Sequence, residues 1–279
     1  MSLNLKIARI QGIDVSIHWT FWLLPLWVIL TWSGGGIFPL WMYLLMIAAL
    51  FGCIVLHEFG HALTAREFGI RTRSITLSPL GGIAELERMS HKPWEEFWIA
   101  VAGPAVNVVI AAFLGAILFV SATLLPALVE TLPWQFLGML ALLNVIMVVF
   151  NMIPAFPMDG GRVFRAILAS WLGLLSGTRV AVMVGTVLAV LMGLAGILLL
   201  HNPWLILIAL FVAFAGQQEL QGLEWQERQR LASNDEDAGP LVSGPQPVMH
   251  ITLRLWDPVR RVWVQRTFAQ PTDRHDSRA

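Results

Sequence analysis

The sequence predicts an all-α polytopic membrane protein of about six transmembrane helices, with a small β-hairpin loop between two of them and a short cytoplasmic tail. Three observations predict it. Hydrophobic residues make up 57% of the chain and charged residues 13%, and the mean hydropathy is +0.69, far more apolar than a soluble domain of this size. Six stretches approach the roughly 20 apolar residues needed to cross a hydrocarbon core. They are Ile17 to Trp32, Phe38 to Leu63, Phe97 to Leu125, Trp134 to Ile153, Val180 to Leu200 and Trp204 to Ala215. Basic residues also segregate: the connections Ser33 to Gly36, Pro126 to Pro133 and His201 to Pro203 contain none of the 18 Lys and Arg. By the positive-inside rule the remaining segments face the cytoplasm, and six spans put both termini there.

Taken in order, the N-terminal segment carries Lys6 and Arg9, then polar Gln11 and Asp14, with no long apolar core behind its positive charges. That pattern argues against a cleavable signal peptide. The first and last spans are the shortest. The second holds the chain's single cysteine, Cys53, which reads as a small buried hydrophobe and cannot form an internal disulfide. Between the second and third spans, Ile75, Leu77, Ile83 and Leu86 flank Pro79 and Gly81-Gly82, a pattern that predicts a hairpin. An open strand edge there would suit pairing with an extended peptide. After Gln217, acidic and basic residues on a helix lead into a linker from Ser233 to Pro247, and Ile251, Leu253, Leu255, Val262 and Val264 predict a second hairpin. Residues 1–220 thus read as a transmembrane domain and 221–279 as stalk, linker and tail. A net charge of +0 gives no reason to expect a nucleic-acid partner; the lipid bilayer is the expected surroundings.

The most informative motif lies inside the second apolar stretch: His57-Glu58-Phe59-Gly60-His61. On a helix, residues four apart share a face, so both imidazoles can address one ion while Glu58 sits beside them as a general base. A carboxylate at membrane depth is costly and therefore points to function. Measured from Trp41, His57 lies about 24 Å along the helix, against a core about 30 Å thick, which places the motif toward the cytoplasmic face. Catalytic zinc commonly takes three protein ligands and keeps one position open, so a third ligand is required. Asp159 is the leading candidate, closing the segment Asn151-Met152-Ile153-Pro154-Ala155-Phe156-Pro157-Met158-Asp159 before Gly160-Gly161. Its competing role is the N-cap of the helix that follows.

Together these residues resemble the site-2 protease family of intramembrane zinc metalloproteases. The resemblance rests on His57 to His61 followed by Ala65, on Asn151 to Gly161, on Gly103-Pro104-Ala105-Val106-Asn107 and on Gly81-Gly82, and it covers about residues 12 to 220. It implies that His57, His61 and Asp159 hold Zn2+, that Glu58 activates water, and that Asn151 assists at the site. It implies a transmembrane protein substrate, cut within or near the bilayer of a prokaryotic plasma membrane. Gly81, Gly82 and Asn107 are assigned to substrate binding, with a hydrogen bond across helices as the other role open to Asn107. His18 matches a first-helix histidine of relatives, and a structural role suits it better. Neither a PDZ module nor a CBS pair is recognisable, which points to the compact, sporulation-protease-like branch. Two other functions compete: an ion or proton transporter using the buried His/Glu cluster, and an inactive membrane scaffold. The six spans show no paired inverted halves, and no proposed ligand is missing.

Overall fold

The computed structural model describes residues 4–79, 81–88, 90, 92–199, 201–237, 248–257 and 262–271. The chain divides into two compact units, Met1–Glu224 and Trp225–Ala279. The first unit opens with β1 (Asn4–Ile10) and β2 (Ile13–His18), continues through a 3-10 turn at Trp19–Trp22 into α1 (Leu23–Thr31), and then enters the long α2 (Leu40–Glu67). β3 (Thr72–Ser78) and β4 (Gly81–Leu86) follow. Four helices complete the pattern: α3 (Pro93–Leu124), α4 (Leu132–Asn151), α5 (Asp159–Leu172) and α6 (Leu174–Leu198), before α7 begins at Pro203.

Among the described residues, five helices are long and apolar enough to cross a membrane: α2, α3, α4, α6 and the Pro203–Leu231 part of α7. As little as 6% of the apolar window of α3 is buried within the protein, so lipid is the partner left for these surfaces. The first expected span is shorter than the sequence suggested. Residues up to His18 are drawn into a sheet by backbone pairing, which leaves only Trp19–Thr31 as an apolar helical segment, about 20 Å long at helical rises. That segment nevertheless has to travel. β2 pairs with β3, which directly follows the C-terminal end of α2, so residues 19–39 return the chain to the opposite end of a 28-residue helix.

The predicted hairpin is half of a larger sheet. Its strand order is β1-β2-β3-β4, with β1/β2 and β3/β4 antiparallel and β2/β3 parallel, in the register Asp14 with Ser74 through Ile17 with Leu77. Sequence reading missed β1 and β2 because Lys6 and Arg9 on the exposed edge strand and half-buried Asp14 on β2 break the apolar alternation. The sheet docks on α2 at the motif itself: Ile13, Val15 and Ile75 pack on Phe59 and Ala62, the residues that alternate with the two histidines.

Each terminus of α2 and α3 has its local cause. Gly69, at φ +72°, closes α2 with its N–H on the Arg66 carbonyl, while the Ile70 N–H reaches Ala65. Pro93 opens α3 with Glu95 and Glu96 in the first turn, where acidic side chains favour the helix dipole. α2 and α3 cross at small residues: a Cβ on Gly60 would lie 2.7 Å from the Ala102 carbonyl oxygen. Beyond α3, the bundle packs α3 on α4 and α5, and α5 on α6.

A buried ion cluster ties three of these helices together. Arg165 of α5 donates from Nε to Glu96 of α3 at 2.8 Å, adds a second contact to Glu96 through Nη2, and reaches Glu219 of α7 through Nη1. Its guanidinium lies over the Phe156 ring, 5.0 Å from the centroid. Arg165 to Met leaves Glu96 buried and uncompensated, with an expected cost of about 3–5 kcal/mol, whereas an Arg165/Glu96 double change to Met is expected to be far milder. Thermal unfolding of the two purified variants checks this; equal destabilisation would remove the ion pair as the cause.

In the second unit, β5 (Val248–Asp257) and β6 (Val262–Pro271) pair antiparallel, with Val248 opposite Pro271 and Asp257 opposite Val262. This is the second hairpin that the alternation of Ile251, Leu253 and Leu255 predicted.

Candidate metal centre

α2 carries His57 and His61 on one face, as the spacing of four requires, and both are buried. Asp159 joins them. Its Oδ2 lies 3.1 Å from His57 Nε2 and its Oδ1 3.3 Å from His61 Nε2, while the two Nε2 atoms are 3.1 Å apart. The three ligand atoms lie within 4.8 Å of one another, close enough to hold one metal ion. Asp159 is the first residue of α5 rather than its N-cap. The N-cap is Met158, which makes no side-chain capping bond, so the carboxylate is given to the histidines.

The glycines after Asp159 explain how it gets there. A Cβ on Gly161 would sit 2.6 Å from the Ala155 carbonyl carbon, so only glycine lets the 152–158 connection fold back against the start of α5. Ala155 and Met158 then pack among Ala189, Ala209 and Val212 of α6 and α7, fixing the turn from which Asp159 projects.

Two observations fit a metal at this cluster. First, His61 Nδ1 is 2.6 Å from the Ile99 carbonyl oxygen, which can only accept, so Nδ1 carries the proton and Nε2 faces the cluster with a lone pair. Second, the wall of α3 opposite the histidines is Gly103. A Cβ there would collide with His61 Nε2 and lie 2.7 Å from His57 Nε2, so the site is a cradle that a side chain would fill.

Glu58 is half-buried on α2 next to His57. Gly82 of β4 lies directly against it: a Cβ on Gly82 would stand 2.6 Å from Glu58 Cγ and 3.0 Å from Oε1. The sheet thus touches the expected base through the glycine pair singled out in the sequence. Asn107 of α3 lies behind His57. It is completely buried, its Oδ1 2.9 Å from His57 Nδ1 and its Nδ2 donating to Asn144 Oδ1 at 3.1 Å. Asn151 is the half-buried last residue of α4 and makes no side-chain hydrogen bond to the cluster. His18 ends β2, where its Nδ1 meets Thr20 Oγ1 at 2.6 Å and caps the 3-10 turn, a structural use.

Sequence reasoning assigned no role to Gly103, Asn144 or the Ile99 carbonyl. Asn144 did leave a signal: it is the amide that interrupts the apolar run from Phe136 to Phe150. The Ile99 carbonyl left none, since a backbone acceptor carries no residue identity.

Fold and site together define a polytopic membrane protein with a buried His-His-carboxylate cluster beside a glutamate. Residues 45–130 and 122–195 match peptidase family M50, and the chain belongs to that family of site-2 proteases. It is 37% identical over 225 residues to the zinc metalloprotease MJ0392 of Methanocaldococcus jannaschii, a match covering 80% of this chain and 62% of the relative. A putative zinc metalloprotease of Synechocystis, sll0528, is 34% identical over 237 residues, 76% of this chain and 58% of that one. The chain therefore spans about three-fifths of the length of these curated relatives. Among solved structures, a site-2 protease from Methanocaldococcus jannaschii superimposes with a TM-score of 0.55 at 36% identity, covering 78% of this chain and 95% of that one.

Proposed function

We propose that this protein is an intramembrane zinc endopeptidase that cuts transmembrane protein substrates, as in regulated intramembrane proteolysis. The observation that carries the reading is the convergence of His57, His61 and Asp159, from helices α2 and α5, beside the carboxylate of Glu58. His57, His61 and Asp159 would hold the ion, leaving a position open. Bound zinc supplies Lewis acidity toward a water and a peptide carbonyl. Glu58 takes one proton from the attacking water as oxygen bonds to the carbonyl carbon, and returns it to the amine nitrogen as the C–N bond breaks. Asn151 stands ready to donate its amide to the oxyanion or to the unwound substrate.

A peptide bond in a transmembrane helix is shielded by its own hydrogen bonds, so the substrate has to unwind. β4 is an edge strand whose Gly82 abuts Glu58, so pairing with it would replace lost backbone bonds while bringing the strand to the base. The segregation of the Lys and Arg residues supports a topology in which this sheet and both termini would face the cytoplasm, the membrane being a prokaryotic plasma membrane. Residues 1–220 would form the protease domain, with 221–279 as an appended stalk and tail. Purified protein loaded with zinc is expected to cut a model transmembrane peptide and to lose that activity to a chelator; zinc-loaded, folded protein that leaves every such peptide intact would argue for a scaffold.

Gly103 gives a second check on the ligand set. Gly103 to Ala places a methyl among the Nε2 atoms, and zinc affinity is expected to fall on the order of 100-fold, at or beyond what loss of an outer partner costs. Equilibrium zinc competition on the folded variant measures it, and unchanged affinity would move the metal away from this cradle.

A further inference from the structure

We propose that Asn144, which touches no ligand atom, decides which nitrogen of His57 is offered to the metal, acting as a positioning residue through Asn107. The inference rests on the metal-binding reading above. A chain of hydrogen bonds runs through three helices, and its direction is set at one end. Leu140 contributes a backbone carbonyl, which can only accept; Asn144 Nδ2 donates to it at 2.8 Å and also lies 3.4 Å from Cys53 Sγ. With its amide nitrogen committed, Asn144 presents Oδ1 to Asn107, whose Nδ2 must then be the donor at 3.1 Å. Asn107 is thereby left with Oδ1 toward His57, and His57 Nδ1, 2.9 Å away, must be the donor. The proton is on Nδ1, and the lone pair of Nε2 points into the cluster.

The geometry leaves no room for the reverse arrangement. A flipped Asn107 would set its oxygen against Asn144 Oδ1 and its NH2 against the Nδ1–H of His57, opposing like with like. Both asparagines are completely buried, so bulk solvent supplies no substitute for a missing partner. His61 reaches the same tautomer by a shorter route, directly through the Ile99 carbonyl. His57 has no backbone acceptor at Nδ1; its orientation is borrowed from α4.

This view separates hydrogen-bond polarity from packing. Asn144 to Leu keeps the bulk but frees Asn107 to turn, so that its NH2 can donate to Nδ1 and put the His57 proton on Nε2, where the metal belongs. Zinc affinity, measured by chelator competition on the folded protein, is expected to drop about 10–100-fold, as for loss of other outer-shell partners. Adding Asn107 to Asp to that variant restores an acceptor that cannot be misoriented and removes the donor that Asn144 satisfied. The double variant is expected to bind zinc within a few-fold of wild type, and its cobalt-substituted absorption spectrum to match wild type while that of Asn144 to Leu does not.

Wild-type affinity in Asn144 to Leu would overturn the proposal, and so would a folded double variant that stays as weak as the single one, since packing alone would then account for the loss. If Asn144 to Leu does not fold, the pair Asn107 to Asp and Asn107 to Leu carries the same distinction: zinc retained in the first and lost in the second supports the proposal, and equal loss in both overturns it. Wild-type protein that binds no zinc would overturn the metal reading itself, a different outcome from a wild type that binds and a variant that binds equally well.

Discussion

Glu58 to Gln is expected to reduce peptide cleavage by about 10²- to 10⁴-fold while zinc stays bound at wild-type stoichiometry. The ligands of the proposed site are His57, His61 and Asp159, and none of them is altered. Gln keeps the size of the side chain, so the contact of Glu58 with the backbone at Gly82 survives and β4 stays in place. What is lost is a group able to accept a proton from water and return it. Metal analysis and turnover on the same preparation decide the point. Cleavage near the wild-type rate would leave the base unassigned.

Asp159 to Ala is expected to act differently, lowering zinc content and activity together. Its carboxylate spans both histidines, with one oxygen toward each Nε2, so its removal deletes a ligand and leaves two imidazoles to hold the ion. The expected loss of affinity exceeds the roughly 10–100-fold typical of outer-shell partners. A helix cap, by contrast, contributes about 1 kcal/mol to helix stability and would leave the metal in place. Full zinc occupancy with normal turnover in this variant would return Asp159 to the helix terminus and reopen the search for the third ligand.

Much of this architecture was legible in the chain, for reasons that can be stated residue by residue. Five long spans announce themselves because a helix in lipid must be apolar all round, so no periodicity has to be detected. The spacing of His57 and His61 is itself geometry, since a helix converts a separation of four residues into a shared face. The hairpin at Gly81-Gly82 was visible because alternation and turn residues coincided. β1 and β2 were not. β1 pairs only with β2, and the partner that holds β2 in the sheet, β3, lies about sixty positions away, as in the contact of Ser16 Oγ with Thr76 Oγ1 at 3.1 Å; local pattern says nothing of a partner at that distance. The Arg165 cluster was hidden for a related reason: Glu96, Arg165 and Glu219 each lie outside the six apolar stretches read from the sequence, where charge is ordinary, and only the fold makes them neighbours. Asn107 was found, but its partners His57 and Asn144 were not, because an amide in an apolar helix announces a partner without naming it.

The parallel pairing of β2 with β3 has a consequence for how the protein is made. Synthesis proceeds from the N-terminus, so β1 and β2 leave the ribosome before α2 and β3 exist. A two-stranded ribbon is marginal by itself, and Leu5 and Ile7 remain exposed even in the finished sheet. The ribbon therefore waits, unsupported, until the helix bearing the two histidines has been threaded into the bilayer and the following strand has emerged. Docking of the ribbon onto Phe59 and Ala62 can therefore follow only once α2 and β3 are both in place. The finished sheet is thus a record that the helix beneath it came first.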